Sequence, residues 1–203
     1  MFGYGSLTAH PGPVATRELK DHGFVADLVG WRRIWGVAMD NRRDLAGYKY
    51  YTDVDGRRPD VFVAYPDLVR ADPAPAHPAE DLTPEGRTPR VNGLCLPVND
   101  AMLEHLDRRE RNYERTDVSD RIARGALDSA LGGVRVWAYI GTGPARARLA
   151  EGRRTGTAVI DAGYLRTVEA AFAVLGDDEL ACLRASLAPG DLPVVPLTRH
   201  ELP

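Results

Sequence analysis

Within its first 65 residues the chain carries five short runs of β-branched and aromatic residues, each closed by glycine, aspartate or proline, and no helical period separates them. The runs are 2–4, 24–29, 34–39, 48–52 and 61–65, and their composition predicts strands. Parallel strands need long crossovers, usually helices, so strands packed this closely argue against a doubly wound sheet. Further strand-like runs follow at 91–98, 115–122 and 134–140. Helical patterns come late. Asn99 or Asp100 can cap a helix running to about Asn112, because either side chain can accept from a free N–H of the first turn. Tyr164, Val168, Ala171, Phe172 and Leu175 fall on one helical face, Gly176 supplies a stop, and a shorter helix is expected over 178–187. The expected fold is α+β: a mixed or antiparallel sheet, or a small barrel, flanked by helices.

The 203 residues suffice for one domain, expected over 1–188, with an irregular tail over 189–203. Residues 71–90 hold five prolines and few large apolar side chains, which predicts a surface loop, read as an insertion. The formal charge is −3, with arginine pairs scattered among acidic residues and read as solvated faces. That balance gives no footprint for nucleic acid or an anionic membrane. Cys95 and Cys182 show no metal-ligand spacing and read as buried packing residues. No apolar run approaches the length of a membrane helix and no signal-peptide pattern is visible, so a soluble cytoplasmic protein is the expectation.

Two segments carry chemistry. In Leu103–Tyr113, a period of 100° per residue places Leu103, Leu106, Glu110 and Tyr113 on one stripe, while Arg108, Arg109 and Arg111 project elsewhere. Glu110 thus continues an apolar face. Lost hydration favours its neutral form and raises its pKa, which suits a group that must take and give a proton near neutrality. The plain alternative is a surface pairing with an arginine at the stripe's end. Glu114 is the lesser candidate, since the helix should stop before it.

The second segment is Phe2-Gly-Tyr-Gly-Ser-Leu7, a short strand running into a turn. Glycines at 3 and 5 let backbone N–H groups approach a ligand, and successive N–H groups can cradle a carboxylate; Ser6 adds a hydroxyl. A nucleophile elbow is excluded because Leu7 and Thr8 follow Ser6. Gly141-Thr142-Gly143 has Arg146 where the dinucleotide fingerprint needs its third glycine, so 141–144 reads as a turn.

Together these segments resemble the γ-glutamylcyclotransferase-like superfamily. The resemblance is carried by Phe2–Leu7, by Leu106-Asp-Arg-Arg-Glu110 with Tyr113 and Arg115, by Val136-Trp-Ala-Tyr-Ile-Gly141 and by Tyr164-Leu165, and it spans 1–176. It implies a small mixed barrel flanked by helices and a cyclotransferase that converts a γ-glutamyl amine or amino acid to 5-oxoproline. Glu110 would be the acid/base. Gly3, Tyr4, Gly5, Ser6 and Leu7 would bind the γ-glutamyl moiety, with Tyr113 and Tyr164 lining the site, and neither metal nor cofactor is implied. Leu7 departs from the asparagine that better-known members carry. The expected partner is a small γ-glutamyl molecule; a homodimer is left open. The alternatives are a catalytically silent binding member of the same fold, and a serine hydrolase built on Ser6, for which none of the five histidines is nominated by spacing.

Overall fold

The computed structural model describes residues 1–9, 23–71, 89–123 and 133–202. The expected 71–90 loop lies almost wholly outside them. Twelve strands and four α-helices are described: β1 Phe2–Gly3, β2 Phe24–Val29, β3 Trp31–Asp40, β4 Lys49–Thr52, β5 Phe62–Arg70, β6 Arg90–Cys95, α1 Asp100–Arg109, β7 Tyr113–Asp117, β8 Ile122–Ala123, β9 Trp137–Gly141, α2 Gly143–Thr155, β10 Ala158–Asp161, α3 Ala162–Leu175, α4 Asp177–Ser186, β11 Val194–Val195 and β12 Thr198–Glu201. The expected α+β class holds. The ladders form one four-stranded sheet ordered β1-β6-β2-β8, a second ordered β11-β10-β5-β3, and two ribbons, β12-β4 and β7-β9. Among the described residues they do not close into a barrel. The second sheet is mixed, because β10 runs parallel to both β5 and β11. No helix among the described residues is long and apolar enough to cross a membrane.

Several sequence expectations need correction. Pro66 does not end its strand: β5 continues to Arg70. Proline lacks the N–H that a ladder requires, but the register of β3 slips between Trp35 and Val37, opposite Pro66, and the bulge absorbs the missing bond. A turn was expected over 141–144, yet Thr142 accepts from the Ala145 N–H and starts a thirteen-residue helix, α2. Only Ala145, Leu149 and Gly152 of α2 are buried, a stripe too thin for periodicity to reveal. The tail is not irregular. Residues 194–195 and 198–201 add strands to β10 and β4 through backbone bonds that polar side chains such as Thr198 and Arg199 do not announce.

Burial corrects two further readings. Cys95 is buried but Cys182 is exposed. Arg33, taken as part of a solvated pair, is only 2% exposed. Its guanidinium donates to the Asn92 carbonyl, to Asn92 Oδ1 at 3.0 Å and to Ser186 Oγ at 3.1 Å, and it stacks over Phe172. Burial lowers its pKa to about 10. It ties β3 to β6 and α4 behind the site.

Candidate active site

The N-terminal segment reaches the site because β1 is clamped beside β6, with Phe2 opposite Cys95 and Gly3 opposite Leu94. Gly93 permits the approach: a Cβ there would lie 2.7 Å from the Phe2 ring and against the Gly3 carbonyl. The chain then turns through a single 3₁₀ turn, in which the Thr8 N–H and hydroxyl both bond the Gly5 carbonyl, at 3.0 and 2.6 Å.

Glu110 is placed by the end of α1. Asn99 caps the helix start by accepting from Met102 N–H, and Leu103 and Leu106 face the core. The helix stops at Arg109, three residues earlier than expected, with Glu110 as its C-cap. The cause is tertiary. Buried Asn112 accepts from Arg148 at 2.8 Å, donates to Tyr48 Oη at 3.3 Å and receives the Thr142 N–H on its carbonyl at 3.0 Å. These bonds pull the chain out of helix and into β7, which pairs with β9. Tyr113 therefore opens a strand rather than continuing the stripe, and its hydroxyl donates to the Pro66 carbonyl at 2.7 Å.

Tyr164 comes from the opposite side. Asp161 caps α3 by accepting from the N–H groups of Gly163 and Tyr164 at 3.0 and 2.9 Å, which fixes the first turn of the helix. The Tyr164 ring packs edge-on to Tyr65 and Trp35. Ser6 lies against its hydroxyl through both side chain and backbone, which opposes the rise that burial gives its pKa.

These elements line a small open cleft with about 290 Å³ of empty space, counting the solvent-filled mouth. It is lined by Tyr4, Gly5, Ser6 and Leu7, by Glu110 and Tyr113, by Tyr164, and by Pro66 and Tyr139. Gly3 lies just behind, in the β1 ladder. The residues nominated from the sequence thus converge, apart from Gly3, while Pro66 and Tyr139 were missed. Nothing local marks either: β9 is apolar throughout, with neighbouring Ala138 and Tyr139 both buried, so no alternation singles out Tyr139.

Glu110 has a side chain 15% exposed, with Arg109 Nε 3.3 Å from its Oε1. Burial raises its carboxyl pKa above the ordinary value, and the positive charges of Arg109, Lys49 and Arg199 oppose that rise. Around it stand tyrosines whose hydroxyls burial pushes upward: Tyr4, Tyr113 and Tyr164. They are neutral near pH 7 and can donate. The Tyr4 hydroxyl already donates to the Tyr139 carbonyl at 2.5 Å, and that of Tyr139 to Asp107 at 2.7 Å.

Asp67, directly after Pro66, was also missed. Fully buried, it accepts from the Gly141 and Leu68 N–H groups, each at 2.7 Å, and from Arg146 Nε at 2.7 Å. It joins β5 to the end of β9 and to α2, and so holds Pro66 and Tyr139 in place. No group of histidine, cysteine and carboxylate side chains that could hold a metal occurs among the described residues.

No protein-family profile matches the sequence, and no curated protein does. Among solved structures, the chain is similar to a yeast γ-glutamyl cyclotransferase specific to glutathione, with a TM-score of 0.52 and 16% identity over 91% of this chain and 93% of that one. The chain therefore has the fold of a γ-glutamyl cyclotransferase.

Proposed function

We propose that this protein is a cyclotransferase that converts a γ-glutamyl amine or amino acid to 5-oxoproline and the free amine. The observation that carries the reading is the meeting of a desolvated carboxylate, Glu110, with the glycine-flanked turn 4–7 across one small cleft.

The reaction is intramolecular. The substrate's α-amine attacks its own γ-carbonyl, a C–N bond forms to close the five-membered lactam, and the bond to the leaving amine breaks. The protein must therefore hold a folded near-attack shape and move protons. The turn at Gly5 and Ser6 receives the polar end of the glutamyl group. Glu110, as carboxylate, takes the proton of the attacking ammonium and returns it to the leaving nitrogen. Tyr164, neutral and facing the cleft beside Ser6, donates to the oxygen that becomes negative in the tetrahedral intermediate.

The test is 5-oxoproline release, read by mass spectrometry, from γ-glutamyl amino acids, γ-glutamyl amines and glutathione. Release above the spontaneous rate from at least one class is expected. Spontaneous rates across the whole panel would overturn the reading.

A further inference from the structure

We infer that Asp107 is a positioning residue for Glu110: its carboxylate, bonded to Tyr139 and paired with Arg115, ties the last turn of α1 to the β7–β9 ribbon and so holds Glu110 at the cleft. This rests on the cyclotransferase reading of the cleft.

Glu110 sits where two elements meet. Its N–H bonds the Leu106 carbonyl at 2.8 Å as α1 ends, and its carbonyl accepts from the Tyr113 N–H at 2.9 Å as β7 begins. Asp107 on α1 and Arg115 on β7 bracket this turn and close across it, with Arg115 Nη2 3.4 Å from Asp107 Oδ2. The other carboxylate oxygen accepts from the Tyr139 hydroxyl at 2.7 Å. Arg115 and Tyr139 are directly opposed in the β7–β9 ladder. Trp137 shares the Tyr139 face of β9, and the Arg115 guanidinium lies over its ring, 5.1 Å from the centre. One carboxylate therefore reaches both strands of the ribbon. Tyr139 in turn lines the cleft together with Glu110 and Tyr113, whereas Asp107 and Arg115 do not line it and act only through residues that do.

Stability alone does not call for this link. The Asp107 and Arg115 side chains are 41% and 33% exposed, and an ion pair so placed adds little to folding. Helix α1 is already seated by Met102, Leu103 and Leu106, all buried. The buried Tyr139 hydroxyl also has the Leu103 carbonyl at 3.5 Å as a second acceptor. What the carboxylate adds is geometry: a short charge-assisted bond fixes the helix end against β9, one turn before Glu110. Burial, and after it the bond to Asp107, raises the Tyr139 pKa, so the hydroxyl keeps its proton and the link persists at neutral pH.

The test is 5-oxoproline release from γ-glutamylalanine, γ-glutamylethylamine or glutathione, whichever the wild type turns over fastest, with the folded fraction read by circular dichroism. Per folded molecule, Asp107→Ala should lower kcat by about tenfold and leave KM nearly unchanged, a loss inside the roughly 10²-fold that a 1 Å misplacement can cause. Asp107→Asn, whose amide oxygen still accepts from Tyr139, should keep most of the rate. Tyr139→Phe breaks the same bond without altering α1 and should show the same loss. Because the two changes remove one link, the double variant should be about as slow as the slower single one. A merely structural residue would lower the folded fraction and leave kcat per folded molecule unchanged. Wild-type kcat in folded Asp107→Ala and Tyr139→Phe, or losses that multiply in the double variant, would overturn the inference and leave the cyclotransferase reading standing. No release by the wild type from any of the three compounds would overturn both.

Discussion

A carboxylate that loses water on folding binds its proton more tightly, and Glu110 is in that position. Stability and activity then make opposite demands on it. Its folded pKa lies above the unfolded value of about 4.3, so the folded state holds more protons and stability falls as pH rises from the unfolded toward the folded pKa. Glu110→Gln removes that titration. The variant should be as stable as the wild type near pH 4 and more stable at pH 7, a gain read by urea unfolding at both pH values. Catalysis needs the ionised form in the free enzyme, so kcat/KM should fall on the acid side with a midpoint above the ordinary glutamate range. An acid limb at or below that range would contradict the desolvated setting. The stripe of Leu103, Leu106 and Glu110 was legible because helix period alone sets it. Asp67 was not: its partners, Gly141 and Arg146, lie more than seventy residues away and no local pattern points to them.

Strands and caps position these side chains, and here the prediction concerns β1. Gly93→Ala would drive a methyl against the Gly3 carbonyl and the Phe2 ring. Overpacking of this kind costs about 1–3 kcal/mol. Because β1 carries the turn at 4–7, any turnover should fall by more than the loss of folded protein explains, as thermal unfolding and kinetics on one preparation would reveal. Asp67→Ala tests the opposite wall. It leaves two buried N–H groups without an acceptor and should cost about 2–4 kcal/mol in chemical unfolding. The half-exposed Arg146 can rehydrate and adds little. Elements that bury a continuous apolar face, such as β2 and α3, were readable from sequence. The end of α1 was not, because Asn112 stops that helix through contacts with Arg148 and Thr142. Helix α2 escaped because arginines cover most of its surface, although Thr142 before Pro144 was an available start signal.

Across the whole molecule, the end of the described chain folds back onto its first half. The last described strand, β12, covers β4, and the Leu202 N–H closes on the Tyr48 carbonyl at 2.6 Å. Deleting residues 196–203 would bare the β4 edge and unseat Tyr51. The truncated chain should lose about 2 kcal/mol or more, a fall of roughly 4–8 °C in Tm for a domain of this size. An unchanged Tm would mean that the ribbon is an ornament. Closure of this kind is hard to foresee, since a polar edge strand looks like any tail until its partner is known. The yeast cyclotransferase shares this fold over most of both chains at 16% identity, so a similar fold is built here from largely different side chains.

The central claim is that Glu110 moves the proton in lactam formation. It is tested most directly by comparing Glu110→Gln with the wild type for 5-oxoproline release under single-turnover conditions, with binding measured alongside. General acid–base catalysis contributes about 10²–10⁴-fold. The account predicts a loss of that size in the chemical step while the variant still binds substrate and stays folded. Turnover at the wild-type rate in Glu110→Gln would contradict it and move the proton to another group.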